Sequence, residues 1–193
     1  TGGISGYIDK QVFGVKHIYG WPTTAELYHS GAYDPEGLLG CLTTALTCFL
    51  GLQCGRTLVD VKTTGGRIVR WLVWGVVCIG VGLGLGMSEV IPINKNLWSL
   101  SFAVLLSGMG FVMVTVFYVV IDVLKVWEGE PFRVVGMNSI AIYVLHGLLH
   151  GLFPFGFEHP PTHAWKLTEN LIAITCWCIV AYFLYFKKIF IVL

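Results

Sequence analysis

Charged residues are scarce in this sequence of 193 residues. Asp, Glu, Lys and Arg together make up only 12% of the chain, whereas a soluble domain carries about 25% charged residues. The net charge of +1 lacks the basic excess that nucleic-acid-binding proteins use, so we expect no nucleic acid among the partners. A hydrophobic fraction of 55% and a mean hydropathy of +0.76 instead predict an integral membrane protein.

A cysteine framework is also missing. The chain has six cysteines, all within apolar runs, where a thiol usually behaves as a small hydrophobic side chain. Cys176 and Cys178 are two residues apart, which places their sulfur atoms on different faces of a helix. We therefore expect neither a disulfide scaffold nor a metal site. The other four are Cys41, Cys48, Cys54 and Cys78.

The first residues, TGGISGYID, include neither an initiator methionine nor the basic and apolar pattern of a signal peptide. We therefore expect the chain to be a C-terminal piece of a longer protein, with further sequence upstream of Thr1.

The sequence consists mostly of long, uncharged apolar runs. A helix needs about 20 apolar residues to cross a bilayer, and an open sheet cannot face lipid. The sequence therefore predicts an all-α integral membrane protein: a bundle of five transmembrane helices within residues 37–193, part of a larger polytopic domain. Residues 1–36 are predicted to be a non-cytosolic loop, or in part the end of a preceding span. The predicted spans are residues 37–55, 71–88, 97–121, 134–157 and 171–186.

The distribution of Lys and Arg predicts the orientation, because cytosolic loops carry more of these residues. The non-cytosolic side would hold only Lys10, Lys16, Lys95 and Lys166. We therefore expect the C-terminus to be cytosolic. The predicted cytosolic side holds Arg56, Lys62, Arg67, Arg70, Lys125, Arg133, Lys187 and Lys188.

Polar residues lead into the third predicted span through the segment IPINKNLWSLS, residues 91–101. Helical spacing would place Asn94 and Trp98 on one stripe and Asn96 on another. An apolar surrounding cannot satisfy an asparagine amide. We therefore predict that Asn94 and Asn96 border a water-filled cavity on the non-cytosolic side. The alternative is that the polar groups only hold the turn.

The fourth predicted span carries a polar stripe. Ser139, Tyr143, His146 and His150 follow one another at i, i+4, i+7 and i+11, and Asn138 adjoins them. Such residues within a span usually face a pathway or a site. The alternative is that each histidine bonds a backbone carbonyl. No Asp, Glu or Cys on the stripe completes a metal site, so we expect no metal.

Basic residues flank the cytosolic end of this stripe. Arg133, Lys187 and Lys188 suit a phosphorylated ligand. The alternative is positive-inside anchoring against lipid headgroups.

Glycines recur in the second predicted span. Gly80 with Gly84, and Gly82 with Gly86, match the small-xxx-small pattern of closely packed helices. The pattern predicts packing within the bundle, with a homodimer seam as the alternative.

Several segments together resemble the C-terminal half of the heparan-alpha-glucosaminide N-acetyltransferase family. Their order and spacing match over nearly the whole chain, and NKNLWSLS and the GMNSI block are the most specific. The segments are YDPEG (33–37), FLGLQCG (49–55), IPINKNLWSLS (91–101), GMNSIAIYVLH (136–146) and KKIF (187–190).

The resemblance implies a multi-pass lysosomal membrane enzyme that moves acetyl from cytosolic acetyl-CoA to the amine of terminal glucosamine on heparan sulfate. It also implies that the catalytic histidine lies in an earlier segment, upstream of Thr1, so we expect no catalytic residue in this chain. The implied partners are the N-terminal half of the same protein, heparan sulfate and the lipid bilayer, and a homodimer is expected.

We predict the site residues from this resemblance together with the helical spacing. Around the acetyl-CoA donor we expect Arg133, Asn138, Ser139, His146, Lys187 and Lys188. Around the acceptor sugar we expect Asn94, Asn96, Trp98 and His150, the last on spacing alone.

Other functions remain open from the residues alone. The polar stripe also suits a transporter or permease half, in which it would be the substrate pathway. A glycan O-acetyltransferase of the same superfamily would share these motifs. A structural membrane subunit is a further alternative, although the polar residues within the spans argue against it.

Overall fold

The computed structural model describes residues 3–22, 29, 31–154, 160 and 162–191, and these residues contain helices but no strand. A 3₁₀-helix lies at Val15–His17 and a π-helix at Tyr118–Val123. The chain divides into an N-terminal unit, residues 1–123, and a C-terminal unit, residues 124–193. The helices are α1 Gly3–Phe13, α2 Leu38–Asp60, α3 Thr64–Met87, α4 Leu100–Phe117, α5 Phe132–Gly136, α6 Ser139–Leu148 and α7 His163–Phe186.

Four helical segments are long and apolar enough to cross a membrane: α2, α3, α7 and the stretch Leu100–Val123, formed by α4 and the π-helix. Only a small share of each is buried within the protein, as expected for helices whose outer faces meet lipid. The predicted all-helical membrane fold is therefore confirmed, while the count of five spans stays a prediction.

The fourth predicted span is not one continuous helix. Helices α5 and α6 are separated at Met137 and Asn138, and α6 ends at Leu148. Residues 155–157 of that prediction lie outside the described part of the chain. The hydrophobic run of residues 134–157 is long enough for a span. The helix is interrupted at the GMNS sequence, residues 136–139, where Asn138 makes a tertiary contact described below.

The predicted limits of the other spans differ from the helices for identifiable reasons. Helix α2 extends past Arg56, and α3 begins before Arg67, because long basic side chains can reach water from the end of a span. Helix α4 begins three residues later than predicted, since Ser99 caps it and its Oγ accepts the Phe102 N–H at 3.4 Å. Helix α7 begins earlier, where Thr162 caps it through the Trp165 N–H.

The N-terminal segment was predicted as a loop, with the end of a preceding span as the alternative. Residues 3–13 form α1, a helix that the loop prediction does not include and that the alternative, the end of a preceding span, allows. Thr1 lies outside the described residues, and the expectation of a catalytic histidine upstream of it stays a prediction. The side of the membrane on which the segment lies also stays a prediction.

Helices α3 and α4 approach each other closely through glycines. A Cβ at Gly82 would lie 2.7 Å from the Leu105 nitrogen, and one at Gly108 would lie 2.7 Å from the Ile79 nitrogen. Gly80 and Gly84 have no such neighbour within 4 Å. The predicted packing within the bundle is thus seen at Gly82, while the homodimer seam stays a prediction.

The core of the N-terminal unit lies where α2, α3 and α4 meet. Leu50, Trp71, Cys78 and Phe111 form one buried cluster. The indole N–H of Trp71 donates to the carbonyl of Cys54 at 3.1 Å, which joins α3 to α2. Burying an indole with its N–H satisfied contributes apolar area without leaving an unpaired donor.

Candidate functional site

The segment before α4 is a hydrogen-bonded turn. Asn94 Oδ1 accepts the backbone N–H groups of Asn96 at 2.9 Å and Leu97 at 3.2 Å, and Ser99 Oγ accepts the Asn94 N–H at 3.0 Å. Asparagine often closes such turns through its own side chain. Because α4 begins only at Leu100, the predicted helical stripes do not continue through Asn94, Asn96 and Trp98, and that part of the prediction is wrong.

Two further bonds fix this turn to the helices. Ser101, which is fully buried, donates through Oγ to the carbonyl of Pro92 at 3.1 Å. Thr43 of α2 donates through Oγ1 to the carbonyl of Trp98 at 2.7 Å. Trp98 has a φ of 46°, a left-handed conformation that is uncommon outside glycine and persists only where the surroundings enforce it. The turn therefore holds Trp98 in a defined position.

The ring of Trp98 is also held. It packs edge-on against Phe102, with ring centroids 5.2 Å apart. Its Nε1 atom is buried and has no hydrogen-bond partner.

A cavity of about 620 Å³ opens beside the turn. Its wall is formed by α1, by α2 and by residues 90–100, and it includes Asn94 and Trp98. Asn96 is not part of this wall. The wall is largely apolar, because the polar groups of Asn94, Ser99 and Thr43 are engaged in the turn itself.

A second cavity of about 470 Å³ lies between α2 and α4. We call it the α2–α4 groove. Trp98 lines this groove as well as the first cavity. The groove is lined by Thr47, Leu50, Gly51, Cys54, Gly55, Trp98, Ala103, Leu106, Ser107, Gly110, Phe111 and Val114.

A buried carboxylate in α1 escaped the sequence analysis. Asp9 is fully buried, and its Oδ1 accepts the backbone N–H of Leu38, the first residue of α2, at 3.0 Å. Its oxygen thereby satisfies one of the backbone N–H groups that the start of a helix leaves without a partner. The adjoining Gly37 leaves room for the carboxylate, since a Cβ there would overlap Asp9. The lone acid in the apolar stretch GYIDKQVF is the signal that could have revealed it.

A group of basic residues lies at the other end of α2 from Asp9, where α2 ends and α3 begins. The sequence analysis did not predict these residues as a site. Arg67 donates through Nε to the carbonyl of Val61 at 2.7 Å and through Nη1 to the hydroxyl of Tyr118 at 3.0 Å. Its guanidinium carbon also lies 5.7 Å from the centroid of the Tyr118 ring. Arg56 pairs with Asp60 at 3.6 Å on the exposed end of α2.

In the C-terminal unit, Asn138 has a role that the sequence did not suggest. It is fully buried; its Nδ2 donates to the carbonyl of Ile189, and its Oδ1 accepts the N–H of Ile191, both at 3.1 Å. This amide joins the GMNSI segment to the KKIF tail. Its direct contact with a donor stays a prediction.

The predicted polar stripe is shorter than expected. Ser139, Tyr143 and His146 lie on α6, but His150 comes after the end of that helix, so the helical spacing that selected it does not hold. Tyr143 is 81% exposed. The ring of His146 lies edge-on to Trp177, with centroids 6.0 Å apart.

Two of the three predicted phosphate-binding cations of the C-terminal unit are already engaged with neighbours. Arg133 donates through Nη2 to Glu130 Oε1 at 2.8 Å, and this hydrogen bond raises the pKa of Arg133, which therefore stays charged. Lys187 Nζ lies 5.9 Å from the centroid of the Phe183 ring. Lys188, with a φ of 57°, directs the chain into the tail held by Asn138.

Among the residues that the structure describes, no three His, Cys, Asp or Glu side chains are grouped so that they could hold a metal ion.

Comparison with known proteins gives a consistent result. No protein-family model matches the chain. The chain is 42% identical over 201 residues to the heparan-alpha-glucosaminide N-acetyltransferase of Homo sapiens, and 40% identical over 198 residues to that of Mus musculus. The family resemblance is confirmed. Both alignments cover 98% of this chain, which spans 30% of the length of each relative.

Proposed function

We propose that this chain is part of a membrane acetyltransferase. It would move acetyl from cytosolic acetyl-CoA to the amine of terminal glucosamine of heparan sulfate in the lysosomal lumen. The observation that carries the proposal is 42% identity, over almost the whole chain, to a protein named for this activity. The four apolar helices fit an enzyme embedded in a membrane.

The base that deprotonates the acceptor amine is proposed to lie outside this chain, upstream of Thr1. Acyl transfer to an amine needs such a group near the attacking nitrogen. The described residues that line the 620 Å³ cavity include no His, Asp, Glu or Lys. In the proposal this chain forms the wall of the acceptor cavity with Asn94 and Trp98, with Asn96 and His150 as further acceptor contacts.

On the donor side, Arg133, Lys187 and Lys188 are proposed to bind the phosphates of acetyl-CoA. Ser139 and His146 are exposed on α6 and are proposed to contact the donor. Asn138 presents no surface of its own, so its proposed part is to position the tail that carries the two lysines.

We further propose a lysosomal, multi-pass location with a cytosolic C-terminus, and a homodimer. The lysosomal location rests on the family resemblance, the orientation on the distribution of Lys and Arg, and the homodimer on the small-xxx-small glycines. An epitope at the C-terminus should be accessible from the cytosolic face of intact lysosomes. Protection of that epitope would contradict the orientation.

A transporter half stays the second candidate, because the polar residues on α6 would also suit a substrate pathway. The break between α5 and α6, at Met137 and Asn138, lies near the predicted cytosolic end of the span and not at the midplane, where transporters often interrupt their helices.

The test uses the protein expressed from its complete natural reading frame, in sealed vesicles with acetyl-CoA labelled in the acetyl group. Label bound covalently to a glucosamine amine supports the proposal. Label on a hydroxyl group would indicate an O-acetyltransferase, and a solute that crosses unchanged would indicate a transporter.

The phosphate contacts have a separate test. Arg133→Ala and the pair Lys187→Ala/Lys188→Ala should each raise the KM for acetyl-CoA by about 5-fold or more, because a charge-assisted phosphate contact is lost. Lys166→Ala, predicted to lie on the other side of the membrane, is the control. An unchanged KM in the first two variants would remove these residues from the donor site.

A further inference from the structure

We propose that the indole N–H of Trp98 binds the thioester carbonyl of the acyl donor, and that the α2–α4 groove carries the donor's arm to it. This inference rests on the proposed function and assigns the donor's reactive end to a place in the fold.

The first step is the unpartnered donor. Three buried side-chain polar atoms of the described residues lack a hydrogen-bond partner: Asp9 Oδ2, Trp98 Nε1 and Trp177 Nε1. Of these three residues, only Trp98 lines the two cavities described above. An indole nitrogen can only donate. The group that would satisfy it must therefore bring an acceptor, such as a carbonyl oxygen.

The second step is the rigidity of that donor. The Thr43 hydroxyl holds the Trp98 carbonyl at 2.7 Å, and Phe102 packs against its ring. A donor held in place before the ligand arrives is favourable for binding an oxygen that becomes more negative during acyl transfer.

The third step is the shape of the α2–α4 groove. Its wall on α2 includes Gly51 and Gly55, and its wall on α4 includes Gly110. A Cβ at any of these three positions would have nothing within 4 Å, in contrast to Gly82 and Gly108 in the α3–α4 contact. These glycines therefore border open space. From Ala103 to Val114 the groove follows α4 for about 16 Å, at 1.5 Å per residue, which suits an extended chain.

The fourth step is charge. The groove ends at Cys54, Gly55 and Val114. Arg56 follows directly, and Tyr118, which binds Arg67, lies one turn beyond Val114. At this end of the N-terminal unit the cations Arg56, Lys62, Arg67 and Arg70 outnumber the carboxylates Asp60 and Asp122.

The ligand that fits is elongated, anionic at one end and carries a carbonyl at the other. Acetyl-CoA has this arrangement, with its thioester at Trp98 and its phosphates at the basic end of the N-terminal unit. This placement is an alternative to the phosphate contacts proposed above for Arg133, Lys187 and Lys188. The KM test of those three residues distinguishes the two placements, because an unchanged KM agrees with this one. The basic end belongs to the side predicted to be cytosolic, from which the donor would enter.

The experiment measures affinity without turnover. The protein from the complete reading frame is purified, and the Kd is determined by calorimetry for two ligands. One is CoA. The other is an acetyl-CoA analogue with a methylene in place of the sulfur, which keeps the carbonyl but cannot transfer the acetyl group.

Trp98→Phe keeps an aromatic ring and removes the N–H. We expect the Kd of the analogue to rise about 10-fold while that of CoA changes less than 2-fold. Trp74→Phe, on α3, is the matched control and should change neither. An analogue Kd equal to that of the unsubstituted protein in Trp98→Phe would overturn the assignment of the carbonyl.

Gly110→Leu tests the route independently of Trp98, because the new side chain would occupy the groove. Both ligands should bind at least 10-fold more weakly, whereas Gly80→Leu, whose Cβ also has open space, should leave both unchanged. If Gly110→Leu only reduced co-purified phospholipid and left both Kd values unchanged, the groove would be a lipid site and the inference would be wrong.

Measurements on the unsubstituted protein distinguish failure of the proposed function from failure of this inference. A protein that transfers no acetyl and binds neither ligand refutes the proposed function. A protein that transfers acetyl, but whose Trp98→Phe and Gly110→Leu variants bind both ligands normally, refutes only this inference.

Discussion

Asn138 and Ile189 are 51 residues apart in the sequence, and the Asn138 side-chain amide donates to the Ile189 carbonyl at 3.1 Å. The same amide accepts the N–H of Ile191 through Oδ1. One buried side chain thus satisfies two backbone groups of the C-terminal tail, where the chain has left α7 and no helical partner is available.

The first prediction concerns this link. Asn138→Ala should destabilise the protein by about 1–3 kcal/mol, because the Ile189 carbonyl and the Ile191 N–H lose their partner, the buried amide of Asn138. We expect a lower thermal midpoint of the detergent-solubilised protein and faster proteolysis after Lys187 and Lys188. Asn170→Ala, at an exposed position of α7, is the control. Equal midpoints for the two variants would show that the amide contributes nothing.

The sequence predicts those features of the fold that depend on local properties of the chain. Helices α2, α3, α4 and α7 were predicted because an apolar run long enough to cross a bilayer is a local property. The exact ends of these helices were not predicted. Helix α2 extends past Arg56 and α3 begins before Arg67, while Ser99 caps α4 later than expected.

The candidate site was harder to predict, since its main features depend on contacts between distant residues. Asp9 binds the N-terminus of α2 from 29 residues away, and Thr43 binds Trp98 from 55 residues away. No spacing rule relates such pairs. Helical spacing failed at Asn94 and His150 because neither residue lies in a helix, although Asn94 and Trp98 do line a cavity.

The second prediction concerns Asp9 and Gly37. Gly37→Ala should cost about 1–3 kcal/mol, because the new methyl group would overlap the Asp9 carboxylate and displace it from the Leu38 N–H. Gly55→Ala, where the methyl group meets open space, is the control and should be neutral or slightly stabilising, since alanine favours helix. The check is the thermal midpoint of both variants, and a normal midpoint for Gly37→Ala would contradict the buried position of Asp9.

The third prediction compares two glycines on α4. Gly108→Ala should destabilise the α3–α4 pair by about 1–3 kcal/mol, since its methyl group would press on the backbone at Ile79. Gly110→Ala has nothing within 4 Å and should fold normally. Expression level and resistance to thermal aggregation in membranes measure both. Equal behaviour of the two variants would mean that α3 and α4 do not meet at Gly108.

The fourth prediction concerns the bond that positions Trp98. Thr43→Val keeps the shape of the side chain but removes the hydroxyl that donates to the Trp98 carbonyl, which should cost about 1 kcal/mol. The control is Thr57→Val on the same helix, because the Thr57 hydroxyl bonds to the Gln53 carbonyl of its own helix and Thr57 lines neither cavity.

A positional effect should accompany this loss of stability. With its carbonyl released, Trp98 has less to hold its left-handed backbone conformation, so its indole should move relative to the 620 Å³ cavity. We expect Thr43→Val to weaken binding of the acetyl-CoA analogue more than binding of CoA, in the same direction as Trp98→Phe and by a smaller factor. If Thr43→Val and Thr57→Val bound both ligands alike, Thr43 would stabilise the turn without positioning the indole.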